Sequence, residues 1–327
     1  MNFNKKLLLF FFLFAFFIPF SVFAYSDKVI LGGNNIGISV DTKNVLVVGF
    51  YKVDNKFIAK DKGIKLGDNI THVGGVRVYS IDDVVSLINE KKANDKVEIT
   101  ILRNNKSHNI NIDLYEENGV YKTGIYIKNN ITGIGTLTYI DPESKIFGAL
   151  GHEIISSPTN KIADISKGEI FKADVIGTVK SRINFTGEKR AVFDSDVIYG
   201  SIDENTIKGI YGVYSSEIDY ERLIEVGDSS SINLGKAYIY TVLDDNSIGE
   251  YEINILKIDD DSETKNILFE ITDNILIKKT NGVIKGMSGS PIVQNGKLIG
   301  AVTHAIVSDN SKGYGIFITS MLEEGEN

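Results

Sequence analysis

A chain of 327 residues has room for two domains of ordinary size. It carries no cysteine, which excludes a thiol nucleophile, a disulfide framework and thiolate metal sites. Its formal net charge of −8 makes it a poor partner for nucleic acid or for an anionic lipid surface.

Lys5 and Lys6 precede an apolar run from Leu7 to Phe20 that ends in Ser21-Val22-Phe23-Ala24. Cations, an apolar stretch, and Val22 and Ala24 at the −3 and −1 positions form the pattern of a secretory signal. At about 18 residues the segment is also long enough to stay in place as a membrane anchor. Residues 1–24 are therefore expected to be a signal peptide or anchor, and residues 25–35 a linker. Everything from Tyr25 onward is expected outside the cytoplasm.

Residues 36–115 read as one compact α+β unit. Ile36 to Val40 predicts a short strand, and Val45 to Phe50 a buried one. Ser80, followed by Asp82 and Asp83 and by apolar residues three and four apart, predicts a helix to Ile88. Lys96–Arg103 and His108–Leu114 alternate and predict a hairpin across Asn104-Asn105-Lys106. The stretch from Gly63 through Gly67-Asp68 to Gly75, with that helix and hairpin after it, resembles a PDZ domain of the bacterial, circularly permuted type. Such domains bind an extended peptide as an added strand beside the helix. The resemblance implies a ligand strand of Ile36, Gly37, Ile38, Ser39 and Val40, with Val84, Val85 and Ile88 at the groove. His72 and His108 read as surface strand residues.

From about Thr123 the chain turns to short strands and Gly-rich turns, among them Ile131–Ile140, Ala173–Val179, Lys208–Tyr214, Gly235–Val242 and Tyr251–Lys257. Closely spaced strands over roughly 200 residues predict an all-β sandwich or barrel pair across 123–327.

Near the end comes Gly286-Met287-Ser288-Gly289-Ser290-Pro291, then Ile292-Val293, a polar turn, and Leu298 to Val302. A serine on a tight turn with glycines beside it can aim backbone N–H groups at a developing oxyanion. This is the layout around the nucleophile of a chymotrypsin-like serine protease. Ser288 fits the nucleophile, the N–H groups of Gly286 and Ser288 fit the oxyanion hole, and the strand carrying Ala301, Val302, Thr303 and His304 fits the substrate cleft. As a bare turn the hexapeptide also fits a non-catalytic protein, though less well.

A serine hydroxyl needs a base, usually histidine, and the chain has four histidines. His72 and His108 fall in the PDZ-like unit. His152 follows a Gly-rich turn and precedes Ser288, the order of chymotrypsin-like enzymes; His304 follows Ser288. His152 is taken as the general base, with His304 beside the cleft. Asp164, Asp174, Asp194, Asp196 and Asp273 are all open as the acid. His152-Glu153 lacks the spacing of a zinc protease motif, and no Walker or Rossmann fingerprint occurs, so neither metal nor cofactor is expected.

With these residues placed, the chain resembles the SpoIVB peptidase family across nearly its whole length. "GIKLGDNI", "GALGHEI", "TGEKRAVF", "NGVIKGMSGSPIVQNGKLIGAVTHA" and "GYGIFI" carry the likeness. The resemblance implies a PDZ domain followed by a chymotrypsin-like double β-barrel, with His152, Asp273 and Ser288 as the triad. The gap from Asp273 to Ser288 is short for a chymotrypsin-like enzyme. It further implies a sporulation signalling protease, exported between the two membranes around the forespore. There it would cleave itself and then a membrane-bound regulator, leading to activation of the late mother-cell sigma factor. The alternatives are an HtrA-like exported quality-control protease, whose PDZ domain follows rather than precedes the protease, or a non-catalytic PDZ peptide-binding protein.

Overall fold

The computed structural model describes residues 25–90, 96–156 and 159–326. The expected signal or anchor lies outside them, and no helix among the described residues is long and apolar enough to cross a membrane.

The first strand, β1 (Lys28–Leu31), stands where a linker was expected. Its Val29 and Ile30 are buried, and it pairs with Leu223–Ile224-Glu225 on one edge and with Tyr139 and Ile140 on the other. Residues 25–35 are thus part of the barrel rather than a tether.

The next strand, β2 (Asn35–Phe50), runs for 16 residues through two structural units. Its first half is sandwiched between residues 130–136 and residues 165–172. A register break separates Asp41 from Leu46, and the second half then enters the PDZ-like unit. At the break Thr42 Oγ1 reaches the carbonyls of Asn44 (2.7 Å) and Asn129 (3.1 Å).

This arrangement corrects the expected peptide-binding strand. Ile36, Gly37, Ile38, Ser39 and Val40 have both hydrogen-bonding edges occupied, so no peptide can add there. Val84 and Ile88 are core residues, and only Val85, 46% exposed, faces outward.

In the PDZ-like unit, β3 (Asn69–Val73), α1 (Ile81–Asn89), β4 (Lys96–Arg103) and β5 (Lys106–Asp113) follow in the expected order. Ser80 caps α1 reciprocally with Asp83, each side chain accepting the other's backbone N–H at 3.1 and 3.0 Å. Asn104 and Asn105 turn the hairpin at φ 50° and 59°, the hand that matches strand twist and that asparagine tolerates. The Gly67-Asp68 pair has a structural use. Asp68, 1% exposed, accepts from Lys65 N–H at 2.7 Å and from Arg103 Nε at 2.6 Å. Arg103 Nη2 also donates to the Gly63 carbonyl at 2.8 Å, tying the motif loop to β4.

The chain then returns on β6 (Ile125–Ile140), whose early residues pair with the PDZ half of β2 and whose later residues pair with its barrel half. With β7 (Ile146–Ala149), β8 (Ile165–Val179), β9 (Glu188–Ile202) and β10 (Gly209–Val213), it encloses a core of Ile36, Ile38, Leu137, Phe147, Ile170 and Ile210. A second barrel follows: β11 (Gly235–Val242), β12 (Ile248–Ile258), β13 (Ile267–Ile271), β14 (Pro291–Gln294), β15 (Lys297–Ala305) and β16 (Lys312–Phe317). Its core includes Ile239, Ile253, Phe269, Met287, Ile292 and Val302. Helix α2 (Asn274–Thr280) joins β13 to the turn carrying Ser288. At the end α3 (Ile318–Gly325) buries Ile318, Met321 and Leu322 against Tyr139, Tyr211 and Val293, a cluster drawn from both barrels.

Candidate active site

The turn carrying Ser288 is stapled across the seam between the barrels. On the second-barrel side, Gly289 N–H donates to the Val302 carbonyl at 2.7 Å and Val302 N–H returns to Ser290 at 2.9 Å. On the first-barrel side, Thr136 N–H donates to the Ser288 carbonyl at 2.9 Å. Thr136 and Thr138 hydroxyls donate to the carbonyls of Gly286 (2.7 Å) and Gly289 (2.8 Å). Every carbonyl named is thereby held, while the N–H groups of Gly286 and Ser288 donate to no backbone carbonyl among the described residues. Two such unengaged N–H groups beside a serine are what an oxyanion requires.

His152 arrives from the first barrel. After β7 the chain passes through Leu150 and Gly151, both with φ 68°. Leu150 N–H bonds the Thr136 carbonyl at 3.4 Å, so the histidine loop and the nucleophile turn share one strand residue. A Cβ on Gly151 would lie 2.9 Å from Thr303 Cγ2, which places the loop directly against β15. Asn205 then fixes the chain beyond the histidine, accepting from Ile154 N–H at 2.7 Å and donating to the Ile154 carbonyl at 3.0 Å.

The imidazole of His152 has its Nδ1 2.8 Å from the carbonyl of Glu153. A carbonyl only accepts, so Nδ1 carries the proton and Nε2 keeps its lone pair. That is the tautomer a general base needs. Burial holds the ring below the ordinary histidine value of 6.5. The charge that opposes this shift is that of Glu153.

Ser288 Oγ donates to the Thr303 carbonyl at 3.0 Å. The next residue, His304, sets its ring 5.3 Å from that of His152, and its buried Nδ1 has no partner among the described residues. Burial, His152 and Lys265 together push His304 down to about 4. The expected cleft strand needs correction in part. Ala301 and Val302 are fully buried core residues, and Thr303 is 2% exposed with its hydroxyl bonded to the Tyr314 carbonyl. Thr303 meets the site through its carbonyl and His304 through its ring.

Among the described residues, the hydrogen bond and the charge acting on His152 come from Glu153, not from Asp273. Asp273 is the N-cap of α2, its carboxylate accepting from Leu276 N–H at 2.8 Å. His304 pairs with Tyr314, which in turn pairs with Leu268 near the start of β13. Asp273 lies five residues beyond Leu268, about 15 Å further along the chain. The other acids are engaged elsewhere: Asp164 with Lys43, Asp174 with Lys172, and Asp194 opposite Lys172 on β8, with Asp196 exposed beyond it. In this arrangement the group that fixes the tautomer of His152 is a backbone carbonyl.

The sign of the pH dependence follows. The base must be neutral, and both imidazoles sit below 6.5. The acid limb of activity is therefore expected below pH 6.5, measured as the rate of covalent modification of Ser288 against pH. Unfolded chains take up these protons at about 6.5 and the folded protein does not, so stability should fall as pH drops from there toward about 4.

Two residues had escaped sequence reasoning. Thr136 sits within a strand pattern that gives no hint of its contacts. Lys189 lies between Glu188 and Arg190, in a charged run that reads as solvated surface; its burial is visible only once strand alternation is applied.

A family model described as SpoIVB peptidase S55 matches residues 119–322, and a PDZ domain model matches residues 34–114. No curated protein matches the chain. Among solved structures, the chain is similar to the PDZ domain of an SdrC-like protein from Listeria monocytogenes (25% identity, 26% of this chain and 87% of that one, TM-score 0.23). It is also similar to the HtrA-type protease AlgW with tripeptide (12%, 59% and 54%, TM-score 0.33). A third likeness is to Rv3671c from M. tuberculosis H37Rv, as its Ser343Ala mutant in the inactive form (14%, 59% and 82%, TM-score 0.31).

Proposed function

The chain belongs to the SpoIVB peptidase S55 family, and we propose that it is an exported serine endopeptidase whose nucleophile is Ser288 and whose base is His152. The observation that carries this reading is the meeting, at one barrel seam, of a Gly-flanked serine, two unengaged N–H groups and an imidazole with its Nε2 lone pair free. Rotation of the Ser288 hydroxyl from the Thr303 carbonyl to His152 Nε2 prepares attack on a scissile carbonyl. His152 takes the proton and later gives it to the leaving amine, and the N–H groups of Gly286 and Ser288 receive the oxyanion.

Asp273 enters as the triad acid by family resemblance, and one substitution tests it. Asparagine caps helices as well as aspartate does, so Asp273→Asn keeps α2 but removes the charge. An acid that supports His152 predicts a loss of about 10⁴-fold in kcat with unchanged melting. A change of less than about threefold leaves Asp273 a cap and the Glu153 carbonyl as the orienting group.

The substrates follow from the family: the protein itself first, then a membrane-bound sporulation regulator, in the space between the membranes surrounding the forespore. Mass mapping of N-terminal fragments from the wild type against Ser288→Ala tests this. Self-cleavage in the wild type alone supports the enzyme. Identical fragments from both would leave a peptide-binding protein.

A further inference from the structure

Lys189 points into the molecule from β9, between the exposed Glu188 and Arg190, and is 4% exposed. Its Nζ donates to Asn35 Oδ1 at 2.6 Å and to Thr241 Oγ1 at 2.8 Å, and reaches Thr136 Oγ1 at 3.5 Å. An ammonium has three donors, and these oxygens from β2, β11 and β6 account for them. No carboxylate among the described residues accepts from it. The groups that face it are Asn35 on β2, Thr136 on β6, Thr241 on β11 and Gly286 on the turn before Ser288, with Ser290 reaching Thr136 from the same turn. Lys172 and Asp174, which with Asn35 line a cavity of about 430 Å³, are paired with each other.

The same residue grips the oxyanion turn from two sides. Its backbone N–H donates to the Lys285 carbonyl at 3.0 Å. In a trans peptide the C=O and the following N–H point in opposite directions. Holding the Lys285 carbonyl against β9 therefore turns the Gly286 N–H away from β9. The lysine stem packs on Gly286 itself: a Cβ there would lie 3.1 Å from Lys189 Cδ. On the far side of Gly286, its carbonyl is held by the Thr136 hydroxyl that the ammonium approaches.

We propose that Lys189 is a positioning residue of the oxyanion turn, fixing both peptide units around Gly286 and setting a buried positive charge behind them. The proposal rests on the reading of Ser288 as nucleophile. A charge in a water-free interior acts on a developing oxyanion far more strongly than one in solvent. Burial without a counter-ion draws this lysine from 10.5 to about 7, so its charge is present below neutrality and lost above it. The expected profile is a bell, rising as His152 loses its proton and falling as Lys189 loses its own.

The test is the rate at which an alkyl fluorophosphonate modifies Ser288 in the full chain, followed by intact mass from about pH 5 to about pH 9, with Ser288→Ala as the blank. The wild type should slow above about pH 7. Lys189→Met keeps the stem on Gly286 but loses the donors and the charge; it should react about 10- to 100-fold more slowly and lose the alkaline limb. Lys189→Arg, charged throughout, should retain most of the rate and carry it to higher pH. A Lys189→Met rate within about twofold of wild type overturns the proposal. Where the methionine variant fails to fold, Lys189→Gln, which keeps a donor but no charge, is read in the same way, with the same loss expected and the same overturning result. A wild type no more reactive than Ser288→Ala removes the peptidase reading itself, a different failure, and the proposal with it.

Discussion

Ser288→Ala is expected to lower the rate of peptide-bond cleavage by about 10⁴- to 10⁶-fold, with the melting temperature unchanged. The hydroxyl makes one hydrogen bond, to the Thr303 carbonyl, so its removal leaves the turn intact. That turn is held instead by Thr136, Thr138 and Val302, none of which binds the serine side chain. His152→Ala should cost a comparable factor, and the double variant little more than either alone, because base and nucleophile act as one unit. The residual rate reports what the N–H groups of Gly286 and Ser288 supply unaided. The measurement is kcat on a peptide spanning the self-cleavage site. An alanine variant within tenfold of wild type would place the nucleophile elsewhere.

Gly289→Ala should be severely damaging. A Cβ there would sit 2.0 Å from the Thr136 carbonyl oxygen and 2.5 Å from Leu150 N, and the residue has φ 89°. Both neighbours are backbone, so no side chain can swing aside. Relief requires β6 and the His152 loop to part from the turn carrying Ser288, which also breaks the bonds from Thr136 N–H to the Ser288 carbonyl and from Thr138 Oγ1 to the Gly289 carbonyl. A loss of at least about 4 kcal/mol is expected. Gly296→Ala is the control. It shares a positive φ of 74° but has nothing within 4 Å, so it should cost only about 1–2 kcal/mol. Denaturant unfolding of the two variants compares steric conflict with backbone strain. Equal midpoints would refute the account of Gly289.

The features that single out Ser288 and His152 are local ones. A serine between glycines, and a histidine singled out among four by chain order, need no knowledge of distant contacts. The capping of α1 by Ser80 and Asp83 is local in the same way, as is the Asn104-Asn105 turn. What failed was long-range. Ile36 to Val40 reads as a short edge strand, and nothing nearby in sequence announces that residues 130–136 and 165–172 close both its sides. The acid was unreadable for a related reason. Whether Asp273 lies behind His152 depends on which end of β13 meets β16, a matter of strand register. Lys189 was hidden by its neighbours, since a Glu-Lys-Arg run looks solvated until strand alternation turns the middle residue inward.

The passage of β2 and β6 through both units determines how the molecule can be taken apart. A PDZ domain joined by a linker can be cut away, leaving its protease whole. Here excision of residues 36–115 would remove the barrel half of β2, the partner of β6 next to Thr136. The truncated chain would then be inactive whether or not the PDZ unit takes part in recognition. The same continuity gives that unit a mechanical hold on the seam that carries Ser288. A tug on the PDZ end of β6 travels along one unbroken strand to Thr136, and from there into the carbonyl of Ser288.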